Sequence, residues 1–143
     1  MLEKLLCATD GSKASNKAVS FACDFASTVG AELVFVVVDT ITDDELASTK
    51  GWSSVMLEAV DEQENKELHL AEATAKDKGV EKYSSVTAHG KNIASAVVSF
   101  AEEHGYDHIV VGSTGKTGIS RVLLGSVASD IVAKAHCPVT VVR

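Results

Sequence analysis

Four glycines, Gly112, Gly115, Gly118 and Gly125, fall within fourteen residues of this 143-residue chain. Ser126 follows the last of them, and Lys116 and Arg121 lie between. Glycine turns a chain sharply, adopts positive φ and lets a ligand touch the backbone. A helix start offers free N–H groups and partial positive charge, which suit a phosphate. Gly125-Ser126 stands where the last helical pattern begins, so a glycine loop and a helix start could face one anion. The Ser126 hydroxyl suits two tasks, capping that helix or bonding a phosphate oxygen. The same glycines would also serve merely to turn the chain. Gly115-Lys116-Thr117 is not the end of a P-loop. That pattern needs a glycine five positions before Gly115, and Val110 stands there inside an apolar run. An FMN-binding loop fits no better, since its first Thr would fall at Gly112.

The elements that must position these residues follow from periodicity. Leu2 to Ala8 reads as a buried strand. Ser12 caps a helix with Ala14, Ala18, Phe21, Ala22, Phe25, Ala26 and Val29 at helical spacing, ended by Gly30. Leu33 to Val38 is a continuous apolar run, as in a strand covered on both faces of a parallel sheet. A polar loop from Asp39 to Ser53 carries Asp43, Asp44, Glu45 and the single Trp52. A long helix runs from there to Lys78, with Met56, Val60, Leu68, Ala71 and Ala75 roughly on one face and its acids on a solvated face. Tyr83 to Ala88 is a strand, Asn92 to Glu103 a helix, His108 to Val111 a strand, Gly125 or Ser126 to Ala135 a helix, and Val139 to Val142 the last strand. Pro138 sits at its entry, where a strand tolerates proline.

Five strands alternating with four helices predict one α/β domain over residues 1–143, a doubly wound parallel sheet with helices on both faces. The expected strand order is 3-2-1-4-5. Strands 1 and 4 are then neighbours where the chain reverses direction, and a crevice opens at their C-terminal ends. Thr9-Asp10-Gly11-Ser12 and Gly112-Ser113-Thr114-Gly115 border it, which puts the glycine cluster where ligands of such sheets bind.

The spacing Gly112-x2-Gly115-x9-Gly125-Ser126 resembles the G-x2-G-x9-G-[S/T] signature of ATP-binding universal stress proteins. The resemblance covers the whole chain. It includes the opening Leu-Leu-Cys-Ala-Thr-Asp-Gly-Ser, the Val-Val-Val-Asp that ends strand 2, Asp107-His-Ile-Val-Val-Gly, and the closing Cys-Pro-Val-Thr-Val-Val-Arg. It implies ATP as ligand, with Asp10 near adenine and ribose, Ala8 and Thr9 along the adenine side, and Val37 packed on the base. Val111 and Gly112 would meet the ribose and adjacent phosphate, and Gly115, Gly125, Ser126 and Val127 would hold the phosphates. Lys116 is outside the signature but close enough to add charge. Gly118 is an extra glycine between signature positions. From the residues alone, Asp10 could equally cap the first helix or close a local turn. Mg²⁺ or Mn²⁺ would arrive with the nucleotide, as there is no dedicated carboxylate cage.

No catalytic constellation accompanies the site. Phosphoryl transfer needs a base or water-orienting group, and His89, His104, His108 and His136 are scattered. His89 comes nearest, at the end of strand 3. A phosphorylatable receiver fold is excluded too, because strand 3 ends in Ala88-His89-Gly90 rather than an aspartate. ATP hydrolysis is therefore expected to be slow, with a slow ATPase, a nucleotide transferase or an AMP or cyclic-nucleotide module as alternatives. Nucleotide binding is expected to act on the 39–53 loop or the 112–125 segment.

Bulk properties narrow the setting. The net charge is −7 and no basic stripe exists to neutralise nucleic-acid phosphates. No apolar run reaches the roughly 18–20 residues of a membrane span, and the N-terminus does not read as a signal peptide. Cys7, Cys23 and Cys137 lack metal spacing and read as reduced thiols of a cytoplasmic protein. The β-branched strand Val139 to Val142 falls at a sheet edge, which invites pairing with another chain. The resemblance implies a homodimer through that strand.

Overall fold

The computed structural model describes residues 2–40, 54–114 and 124–143, with 54–61 as backbone only. Nine elements follow in chain order: β1 (Lys4–Ala8), α1 (Lys13–Val29), β2 (Glu32–Asp39), α2 (Ser54–Asp77), β3 (Tyr83–His89), α3 (Ile93–Glu103), β4 (His108–Gly112), α4 (Ser126–Lys134) and β5 (Val139–Val142). The strands form a five-stranded sheet, parallel at every pairing, in the order β3-β2-β1-β4-β5. This is the order that the alternation of strands and helices predicts.

The central strands are apolar without a break because both faces are covered. Leu5 and Cys7 of β1, Leu33, Phe35 and Val37 of β2, and Val110 of β4 pack under α1 and α2. The intervening Leu6, Val34, Val36, Ile109 and Val111 pack under α3 and α4. Burial of each large side chain contributes roughly 1.5–3 kcal/mol, so the two layers hold β1, β2 and β4 rigidly beneath the crevice.

Local chemistry sets the helix ends. The Ser12 hydroxyl caps α1 by accepting from Ser15 N–H at 3.1 Å, and Gly30 closes it at φ 72°, its N–H donating to Ala26 O. Asn92 caps α3 through Ser95 N–H at 2.9 Å. The buried stripe of α1 is Ser15, Ala18, Val19, Ala22, Cys23 and Ala26. Phe21 and Val29, expected on that stripe, are exposed, and Val19 and Cys23 take their place. Small residues next to the sheet let the helix approach closely, and Phe21 makes a tilted ring contact with the partly buried Phe25.

At the opposite end from the crevice, Asp107 fastens β1 to β4. Its carboxylate accepts from the N–H groups of Glu3 at 2.9 Å and Lys4 at 2.8 Å. These bonds, Glu3's first, hold the carboxyl below its ordinary range. The ladder of β1 begins at Lys4 rather than Leu2. Cys7 and Cys23 are buried and Cys137 half-buried, all as free thiols. Burial pushes the Cys23 thiol up to about 11 and raises the other two, which keeps them protonated and unreactive near neutral pH. Among the described residues no helix is long and apolar enough to cross a membrane.

Candidate functional site

The crevice between β1 and β4 is a cavity of about 700 Å³. Its apolar lining comes from strand ends, Ala8, Val36, Val37, Val38 and Val111, with Ile93 and Val97 of α3. Hydrogen-bonding groups enter from three directions: the turn after β1, the turn before and start of α4, and one face of α2.

The turn after β1 is closed by its own side chains. Ser15 Oγ accepts from Asp10 N–H at 3.0 Å and shares a 2.6 Å hydrogen bond with Thr9 Oγ1. Asp10 Oδ1 accepts from Ser12 N–H at 2.9 Å. Asp10 therefore closes a local turn and Ser12 does the capping, while Asp10 still lines the cavity. Gly11, at φ 77°, lies so close to α2 that a Cβ there would sit 2.8 Å from Glu67 Oε1.

The far side is built on glycine for a different reason. A Cβ on Gly112 would meet the backbone carbonyl carbon and oxygen of Ala14, both at 2.8 Å. Gly112 thus lets β4 run against the first turn of α1. Ser113 then ties the loop down: its N–H donates to Val142 O at 2.8 Å, and its carbonyl accepts from Gly125 N–H at 2.7 Å. Gly125 is the cap residue of α4 and offers no side chain to its amides. Ser126 is the first helical residue rather than the cap, so its hydroxyl is not the group that closes the helix. Gly125, Ser126, Val127 and Ala128 all line the cavity. An N-terminus whose cap residue brings no side chain, with its dipole, is suited to an anion.

Ala8, Thr9, Asp10, Val37, Val111, Gly112, Gly125, Ser126 and Val127 are brought together on this one cavity. Gly115, Lys116, Gly118 and Arg121 lie outside the described residues, as do Asp43, Asp44, Glu45 and Trp52 of the loop after Asp39. None of the described histidines lines the cavity. His89 is exposed, 4.0 Å from Asp39 Oδ2. His104 bonds to Phe100 O, and His108 shares a 2.7 Å bond with Thr140 Oγ1. Among the described residues no group of three His, Cys, Asp or Glu is arranged to hold a metal ion.

Sequence reasoning missed the α2 wall. Gln63, Glu64 and Glu67 line the cavity, and Glu67 is only 6% exposed instead of lying on a solvated face. Gln63 Nε2 donates to Glu67 Oε1 at 3.2 Å. The signal was present in the spacing. Glu64, Glu67, Ala71 and Ala75 continue the stripe that buries Leu68, so acids there had to face the protein.

Comparison with known proteins agrees with this geometry. A model of the universal stress protein family matches residues 1–143. The chain belongs to that family. It is 34% identical over 150 aligned residues to universal stress protein YxiE of Bacillus subtilis, covering all of both chains. It is 33% identical to universal stress protein MJ0531 of Methanocaldococcus jannaschii, covering all of this chain and 83% of that one. Among solved structures, the hypothetical protein MJ0577 superposes with a TM-score of 0.80 at 27% identity, over 99% of this chain and 96% of that one. A universal stress protein in complex with cAMP superposes with a TM-score of 0.76 at 25% identity, over 99% and 97%.

Proposed function

We propose that this family member binds ATP in the β1–β4 crevice and acts as a nucleotide-dependent homodimer in the cytoplasmic stress response. One observation carries the reading. The start of α4, whose cap residue Gly125 has no side chain, opens on the same cavity as the apolar ends of β1, β2 and β4. A purine base fits the apolar slot, and its phosphates suit the amides of α4 and the close backbone at Gly112. Asp10 lines the same cavity and would face the sugar. Gly115 and Lys116 would complete the phosphate side, and a Mg²⁺ or Mn²⁺ would come in with the phosphates.

Among the described residues no histidine lines the cavity, which supports a reading of binding and release with at most weak hydrolysis. The dimer would form along β5, the sheet edge. The complex of a similar protein with cAMP supports a second reading, in which a nucleotide without a γ-phosphate is the ligand.

The test is direct. Purified protein is denatured and its released small molecules are identified by chromatography and mass spectrometry. Stripped protein is then titrated calorimetrically with ATP, ADP, AMP and cAMP. Co-purifying ATP, or a clear preference for it, supports the first reading. Equal affinity for ATP and AMP, or preference for cAMP, moves the assignment to the second. Indifference to all four ends both.

A further inference from the structure

Two hydroxyls share the wall of the cavity where β1 ends. Thr9 is 7% exposed and Ser15 4% exposed, and both line the cavity. Their oxygens are 2.6 Å apart, so one hydroxyl donates to the other. Ser15 Oγ also accepts from Asp10 N–H at 3.0 Å. A hydroxyl carries one proton and two acceptor positions. The pair therefore has two protons and makes one bond between its members. One O–H donor is left over, and among the described residues neither hydroxyl bonds a further acceptor.

Ser15 decides which proton that is. It is buried in the first turn of α1, and donating to Thr9 Oγ1 while accepting from Asp10 N–H satisfies its hydroxyl in both senses. The spare proton is then that of Thr9. A buried hydroxyl is costly to leave without an acceptor, and packing alone would be served by valine, which has nearly the same shape. Thr9 stands at the apolar end of the cavity. It follows Ala8, and its N–H donates to Val36 O at 3.0 Å; both neighbours line the cavity. In the proposed function this is the slot of the base. The acceptors on the ring of adenine are its nitrogens N1, N3 and N7. We infer that the Thr9 hydroxyl, oriented by Ser15, donates a hydrogen bond to a ring nitrogen of the bound adenine and so helps to select the base. This rests on the nucleotide reading. It adds a side-chain donor at the base and a positioning residue, Ser15, that lies outside the glycine signature.

The test compares ATP with 1-deaza-, 3-deaza- and 7-deaza-ATP, each lacking one ring nitrogen, by calorimetry on the full chain. The proteins are the wild type, Thr9→Val, Thr9→Ser and Ser15→Ala. Valine keeps the shape and removes the donor, and serine keeps the donor. A neutral hydrogen bond corresponds to roughly two- to tenfold in affinity. One of the three analogues should bind the wild type more weakly than ATP by a factor in that range. The gap should vanish in Thr9→Val and persist in Thr9→Ser. It should narrow in Ser15→Ala, where Thr9 loses the partner that orients it. A purely structural role for Thr9 would weaken all four ligands together in Thr9→Val and leave their ratios intact. That outcome, or equal wild-type affinity for all four, overturns the inference while nucleotide binding stands. An unchanged gap in Ser15→Ala overturns the orienting role of Ser15. Absence of ATP binding in the wild type overturns the nucleotide reading itself and this inference with it.

Discussion

Helices α1 and α4 both start at the crevice, but α1 starts under Ser12, whose hydroxyl accepts from Ser15 N–H, and α4 starts under Gly125, which has no side chain. The α1 start is knitted further by Thr9, Asp10 and Ser15. Its donors are used inside the protein. The α4 start receives no side-chain cap bond from Gly125 and lines the cavity. Two helix N-termini at one switch point thus differ in their cap residue, and on the proposed function that difference divides them between architecture and recognition.

The largest break of this contrast should come from Gly112, which joins the two regions. A Cβ there meets Ala14 backbone, which cannot swing aside as a side chain could. Gly112→Ala should cost about 3 kcal/mol of stability, the upper end of ordinary overpacking, read as a lower urea midpoint. Next, Ser126→Asp puts a carboxylate where the phosphate is proposed. Affinity for ATP should fall at least tenfold, about 1.4 kcal/mol, measured by calorimetry. Thermal stability should rise slightly, because an acid in the first turn of a helix is favourable. Opposite signs in the two measurements are the mark of a site that serves a ligand. Ser12→Ala is the converse. It should cost about 1 kcal/mol of stability through the lost cap and leave ATP affinity within about twofold.

The smallest effect lies at the far end of the sheet. Asp107 has its carboxyl lowered by the N–H groups of Glu3 and Lys4. A lowered carboxyl pKa means the unfolded chain binds the proton more readily. Its contribution is therefore fully present above the ordinary carboxylate pKa of about 3.9 and is lost as pH falls through the lower folded value. Asp107→Asn should be less stable than the wild type at pH 7, and the gap should close in acid. Urea titrations at pH 7 and pH 3 would show it. ATP affinity should not change, since the crevice is at the other end of the strands.

Much of this was legible in the chain. The uninterrupted run Leu33 to Val38 required a strand covered on both faces, and Gly30 marked a helix end, now at positive φ. The alternation of elements led to the order of strands, and the order led to the crevice. The stripe of α1 was misjudged at Phe21 and Val29 because its buried face runs through Ser15, Ala18, Val19, Ala22, Cys23 and Ala26, and Phe21 and Val29 stand beside that face although they are apolar. Glu67 was misjudged because an acid in a charged helix reads as solvated until its position on the helical stripe is weighed.

What the sequence determined by itself was periodic or local: which segments are strands and helices, where they stop, and that Gly112, Gly125 and Ser126 stand where a doubly wound sheet reverses. These depend on neighbours a few residues apart. Tertiary structure decided the rest. It gave the cap position of α4 to Gly125 and not to Ser126. It turned Gly112 from a flexible residue into a contact surface for Ala14, and it brought Glu67 over Gly11, 56 residues earlier in the chain. The physical reason is the same in each case. Packing of elements distant in sequence fixes which backbone and side-chain groups are already bonded within the fold and which remain for a ligand.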